Sequence, residues 1–248
     1  KRPTGMGERV ERLDADADHV AMLFAGVRDA VLWSSIDGGT SFPFSKTLSD
    51  TTSFGNVDGT KVAVDTKNNT AYVWWKNGDG QMINDHYMRK VTIAASGAIT
   101  LGAIKKLTNK VTGAAAPWHA TISIKPAAST TAFPRIFLAY PTAGMGGNLS
   151  CFTTYTDTIN VNWYLAYSDD DGTSWTSLLV DNDPTFPRCQ FQSPSSDPYL
   201  ALLGGNRSYI SSTFDTKSGR VLLAYQRHED DENGSYVGTR IRVKHWPS

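Results

Sequence analysis

The residues best equipped for chemistry sit in or beside long polar segments. Arg28, Asp85, His86, Trp118, His119, Arg188, Arg227, His228 and Asp230 combine guanidinium, carboxylate, imidazole and indole groups. Sugars are held by this mixture, aromatic rings covering apolar C–H faces while charged side chains bond the hydroxyls. A loop-rich surface carries the same types in solvated or structural roles, so the mixture alone leaves both readings open. Trp118 and His119, with Arg135 and Tyr140 in the same unit, also supply the His, Tyr and Arg that β-elimination from a uronic acid requires. Among these, Arg28, His86, Trp118 and Arg188 are the candidates for ligand binding.

Two acidic patterns bear on metals. Asp14-x-Asp16-x-Asp18 opens like a calcium loop, but no Gly follows and the twelfth position is Ala25, which excludes an EF-hand. The run Glu229-Asp230-Asp231-Glu232 reads as a wet loop with the donors to hold calcium. No cofactor is expected, and calcium is the one candidate cation.

Short β-strands must position these residues. Apolar residues alternate with period two almost everywhere and are punctuated by Gly, Asn, Asp and Pro, which predicts an all-β fold. Residues 97–107 have some helical character, against which Ile99 and Thr100 weigh. The chain also repeats itself: residues 64–74 line up with residues 214–224, each a strand, a polar turn and a more apolar strand. The same pair of strands is readable in residues 10–25 and 121–140, giving four units. The second strand of each unit (residues 20–25, 71–75, 136–140 and 221–225) is largely apolar on both sides. Such a strand belongs between two sheets, the environment that stacked propeller blades provide.

Ser35-x-Asp37-x-Gly39-x-Ser41-Phe42 and Ser168-x-Asp170-x-Gly172-x-Ser174-Trp175 share one spacing, each after a predicted strand. Both resemble the Asp box, S-x-D-x-G-x-T-W, of the BNR-repeat β-propellers to which the sialidases belong. The box makes physical sense as a hairpin turn between a blade's third and fourth strands. The Asp accepts backbone N–H groups, Gly supplies a positive φ, and the aromatic folds back on the blade. It is therefore expected to be structural. The second unit has no box, and residues 82–95 run into an ordinary turn at Ser96-Gly97.

The fourth unit resembles the sialidase stretch in which an apolar strand, an arginine and an Asp-bearing loop precede a box: Gly219 to Tyr225, then Arg227, then Asp230 and Asp231. By that resemblance Asp230 would serve in acid/base work and Arg227 would grip a substrate carboxylate. Together with His119 from the elimination reading, these are the candidate catalytic residues. The upstream Arg-Ile-Pro of sialidases is missing. Its arginine falls at Tyr209, with Arg207 two residues out of register, and no nucleophilic Tyr/Glu pair can be located. The resemblance implies the fold and a glycan partner without a complete sialidase catalytic set.

Lys plus Arg equals Asp plus Glu at 24 each in 248 residues, so net charge does not favour nucleic acid as a partner. No apolar run is long enough to span a bilayer as a helix. Cys151 and Cys189 lack zinc-site spacing and read equally as one disulfide or two thiols. Sequons at Asn68, Asn148, Asn206 and Asn233 suit a secreted or cell-surface protein. One propeller domain over residues 1–248 is expected, binding a glycan or polysaccharide. A glycan-cleaving enzyme, sialidase-like or a polysaccharide lyase, is the alternative, and a purely structural propeller that binds protein comes third. The fourth unit runs out after its third strand, so the chain is expected to be part of a ring of five to seven blades or to be completed by a second chain. Pairing of residues 4–9 with residues 239–245 in a four-bladed ring would refute that.

Overall fold

The computed structural model describes the backbone of residues 9–15, 20–25, 30–37, 39–49, 57–65, 67–77, 86–107, 120–143, 158–187, 210–230 and 236–247. The side chains described are those of residues 30–37, 39–49, 57, 60–65, 67–76, 86–107, 120–141, 162–182, 210–225 and 240–246.

Four antiparallel sheets follow one another along the chain, each a meander. Sheet 1 holds β1 (Arg9–Ala15), β2 (Val20–Ala25), β3 (Ala30–Ser35) and β4 (Phe44–Thr47). Sheet 2 holds β5 (Val57–Asp65), β6 (Thr70–Asn77), β7 (His86–Ile93) and β8 (Ile99–Lys106). In sheet 3 come β9 (Thr121–Lys125), β10 (Arg135–Ala143), β11 (Thr158–Ser168) and β12 (Thr176–Pro187). Sheet 4 has three strands among the described residues, β13 (Ile210–Asp215), β14 (Arg220–Asp230) and β15 (Tyr236–Pro247). The stretch with helical character is strand β8, and no described residue is helical. Arg9 pairs with Ala25 inside sheet 1, while residues 1–8 lie outside the described residues.

The internal repeat is a repeated hairpin. In the β5–β6 turn the Asp65 carboxylate accepts Lys67 N–H at 3.2 Å and the Asn68 amide at 2.9 Å. In the β13–β14 turn Asp215 accepts Lys217 N–H at 3.0 Å and Ser218 N–H at 3.3 Å. Both turns then need a left-handed residue at the same place. Asn69 (φ 51°) fills it in one and Gly219 (φ 69°) in the other, the two residue types for which that conformation costs least.

Alternation along the strands sends side chains to two neighbouring sheets at once. On β6, Ala71, Val73 and Trp75 pack with Leu32, Val57 and Val62 between sheets 1 and 2. Tyr72 and Trp74 pack with Ile122, Leu138 and Tyr140 between sheets 2 and 3. Phe137, Trp163 and Leu165 meet Val221, Leu223 and Tyr225 between sheets 3 and 4. A strand clad on both faces has no wet side, which is why β6 and β10 read as continuous apolar runs. Successive first strands β1, β5, β9 and β13 pack on one another. Ser212 on β13 donates to Ser123 on β9 at 3.2 Å. The sheets thus stand as β-propeller blades with their first strands innermost.

Candidate functional site

The third-to-fourth-strand turns of sheets 1 and 3 share one pattern of Ser, Asp and Gly bonds. Ser35 Oγ donates to Asp37 Oδ1 at 2.6 Å and accepts Gly39 N–H at 2.9 Å. Asp37 also takes Ser41 N–H at 2.9 Å and Ser41 Oγ at 2.6 Å. In sheet 3 the corresponding distances are 2.8 Å from Ser168 Oγ to Asp170, 2.8 Å from Gly172 N–H to Ser168, and 2.9 and 2.5 Å from Ser174. Gly39 (φ 86°) and Gly172 (φ 76°) make the reversal. These bonds favour the charged carboxylate: Asp37 is pulled down to about 2, first by Ser35 and then by Ser41, and Asp170 falls below the usual range, first through Ser174. Each carboxylate is spent on its own turn, so these residues are scaffold. Trp175 folds back, its indole N–H donating to Gly172 O at 3.2 Å while the ring packs between sheets 2 and 3.

The same end of the molecule is tied from sheet to sheet. Tyr72 donates to Asp171 Oδ1 at 2.5 Å, and Lys90 and Lys105 lie 3.3 and 3.5 Å from that carboxylate. Burial first, and then the bond to Asp171, push the Tyr72 phenol far above its ordinary value. Farther along the strands, toward the other end, Tyr225 ties sheet 4 to sheet 3 by donating to Asp181 at 2.6 Å, with Lys244 3.7 Å from the same carboxylate.

The connections between second and third strands, and between sheets, open at the opposite end. There the described strand ends carry stacked aromatics: Trp74 on His86 at 5.3 Å, Trp75 on Tyr87 at 5.8 Å, and Tyr140 on Tyr164 at 5.7 Å. Trp163 tilts against Tyr225 at 5.1 Å. Polar groups flank them, with Asn182 donating to Asn162 at 2.5 Å. Burial pushes the Tyr140 phenol up to about 12. Lys76, directly opposite His86 in register, is only 5% exposed.

His86 is the sequence candidate whose side chain is described. It is the first residue of β7 and 1% exposed, its ring against Trp74. Arg227, His228 and Asp230 lie on β14, where Arg227 pairs with Arg240 and Asp230 with Tyr236, and their side chains are outside the described set. Arg28, Asp85, Trp118, His119 and Arg188 lie outside the described residues, as do Asp16, Asp18, Asp231, Glu232, Cys151, Cys189 and the sequons at Asn148, Asn206 and Asn233. The elimination constellation is partly dispersed. Arg135 forks onto Asp169 at 2.6 and 2.9 Å at the turn end of β10, whereas Tyr140 lies five residues on, roughly 16 Å at strand rise. Lys76, Asn162 and Asn182 are polar groups of this end that the sequence pattern does not single out. A lysine closing the apolar run Ala71 to Trp75 was the available signal for the first. Among the described residues no group of three or more His, Cys, Asp or Glu side chains is placed to hold a metal ion.

No protein-family model and no curated protein matches the sequence. Among solved structures, Trypanosoma rangeli sialidase in complex with sialic acid is similar at 11% identity and a TM-score of 0.48 over 93% of this chain. The same sialidase with the inhibitor DANA aligns at 12% identity and 0.48 over 94%. A fucose-specific lectin from Aleuria aurantia aligns at 10% identity and 0.38 over 95%. The chain spans 37% of the length of the first sialidase structure and 62% of that of the lectin.

Proposed function

We propose that this chain is a carbohydrate-recognising β-propeller of the Asp-box kind, secreted or at the cell surface, that binds a glycan at the loop end of its sheets. The observation that carries this reading is the division of labour between the two ends. At the turn end Asp37 and Asp170 are satisfied by their own hairpins, leaving no carboxylate of the motif for a ligand. At the loop end the longest connections gather, above a buried layer of stacked aromatic rings that includes Trp74 and Tyr140 and supports them. Arg227 and Asp230 are assigned to the ligand because β14 carries both toward that end. In this reading no cofactor takes part, and a further sheet from another chain completes the blade stack.

A glycan array probed with the full chain tests the binding, and a reducing-end assay on each bound glycan tests cleavage. Binding without new reducing ends supports recognition alone. New reducing ends that vanish in Asp230→Asn would convert the reading to a glycosidase. An array without signal would sink both.

A further inference from the structure

The β5–β6 turn carries a pattern that its hairpin does not need. Asn68-Asn69-Thr70 is an acceptor sequence for N-linked glycan that lies wholly among the described residues. The sister turn between β13 and β14 shows what the hairpin itself requires. There Ser218, Gly219 and Arg220 stand at the same three positions, and Asp215 holds the turn through the backbone N–H groups of Lys217 and Ser218. Only the left-handed middle residue recurs, as Asn69 in one turn and Gly219 in the other. Neither the Asn68 amide nor the Thr70 hydroxyl belongs to the shared construction.

Thr70 is the sharper case. It is 6% exposed, and its buried hydroxyl has no hydrogen-bond partner among the described residues. An unpaired buried hydroxyl costs stability, and valine would give the strand the same shape without it. At the aligned position Arg220 is exposed. The folded hairpin thus gives the Thr70 hydroxyl nothing to do, whereas the enzyme that attaches N-linked glycan reads a hydroxyl two residues after the asparagine, before the chain folds.

Asn68 is arranged to carry a substituent. One Nδ2–H donates to Asp65 Oδ2 at 2.9 Å, and the other meets no acceptor among the described residues. Replacing that second hydrogen leaves the bond to the buried Asp65 in place. Lys67 and Asn69 on either side are exposed, so the turn opens to solvent.

We infer that Asn68 is a site of N-glycosylation. The co-substrate is an oligosaccharide joined through a diphosphate to a lipid. Nδ2 forms a bond to C1 of the first sugar while the C1–O bond to phosphate breaks, the lipid diphosphate leaves, and Nδ2 gives up one proton. The inference rests on the secreted or cell-surface reading. It places the added glycan at the turn end, so the loop end stays open for the glycan that the protein binds.

Translation of the full chain behind a secretory leader, in the presence of microsomes, reads the transfer on the nascent chain, and peptide mass spectrometry locates it. Asn68 should be modified. Asn68→Gln and Thr70→Val should each lose that glycan, and Thr70→Ser should keep it. Melting of the unglycosylated proteins separates this from a role in the fold, since Thr70→Val should melt no lower than wild type. An unmodified Asn68 would overturn the inference, and so would a Thr70→Val chain that melts well below wild type, because the hydroxyl would then belong to the scaffold. Glycan-array signals of the glycosylated wild type and of Asn68→Gln should match. A blank array with Asn68 modified would end the recognition reading and leave this inference standing, whereas a bare Asn68 on a chain that binds glycan would do the reverse.

Discussion

The Tyr72 hydroxyl and the Asp171 carboxylate meet at 2.5 Å across the boundary between sheets 2 and 3, joining residues 99 positions apart. Lys90 and Lys105 close on the same carboxylate, and Lys90 also stands over the Tyr72 ring at 5.8 Å. The four side chains form one unit, with a buried phenol that has no charged alternative and a carboxylate that stays paired if one partner is lost.

Tyr72→Phe should therefore cost about 1.5–3 kcal/mol, the worth of a hydrogen bond to a charged group. Asp171→Asn should cost at least as much, because it leaves two lysines facing an amide. The double variant should cost clearly less than the sum, since both changes remove the same bond. Urea midpoints of the four proteins give the coupling, and strict additivity would show that the contact carries no energy.

What was legible in the sequence is what strands and turns settle locally. Period-two alternation located the hairpins, and the spacing from Ser35 to Ser41 and from Ser168 to Ser174 located two turns, because every bond in them spans four residues or fewer. Relations between sheets were not legible. Asp169, Asp170 and Asp171 are consecutive and chemically identical, yet the first pairs with Arg135, the second holds its own turn and the third bridges to Tyr72. The first meets a neighbouring strand of its own sheet and the third a neighbouring sheet, and neither approach can be read from three identical residues. His86 read as a polar residue at a loop mouth, and the burial of its ring against Trp74 is something no local pattern announces.

Stability should fall on the acid side through the two box turns. Asp37 and Asp170 have folded values below their unfolded ones, so their stabilisation is complete above an unfolded carboxylate value of about 4 and is lost as pH falls toward 2. The melting temperature should drop steeply across that window. Asp37→Asn/Asp170→Asn should melt lower at neutral pH and show a flatter acid limb. An acid limb unchanged in the double variant would place the titration elsewhere.

Gly97→Ala and Gly172→Ala should differ although both glycines are left-handed. Each pays roughly 1–2 kcal/mol for a Cβ at positive φ. At Gly172 the obstructing atom is the flexible tip of Met88, which can swing aside. At Gly97 it is the Phe44 ring, with Ile36 Cγ2 a further 3.0 Å contact of the same Cβ, and a rigid ring packed against the core between sheets 1 and 2 yields less readily than a methionine tip. Gly97→Ala should be the more destabilising by thermal melting, and Phe44→Leu should recover part of its loss. Equal losses at the two sites would mean that backbone conformation alone sets the cost.

His86 and Arg227 separate scaffold from ligand contact. The His86 ring is buried and stacked on Trp74, so His86→Ala removes packing and should cost roughly 2–4 kcal/mol, in the range of large-to-small core changes. Its glycan affinity, measured at a temperature where the variant remains folded, should stay within about twofold of wild type, a free-energy change of only ~0.4 kcal/mol. Arg227→Ala should behave in the opposite way, with a melting temperature close to wild type and glycan binding weakened roughly tenfold or more, as for a charged bond facing the ligand. Isothermal titration against an array-positive glycan, paired with calorimetric melting, reads both quantities on the same samples. Loss of stability and of binding together in Arg227→Ala would reassign that arginine to the scaffold, and loss of binding alone in His86→Ala would bring the ligand down to the Trp74 stack.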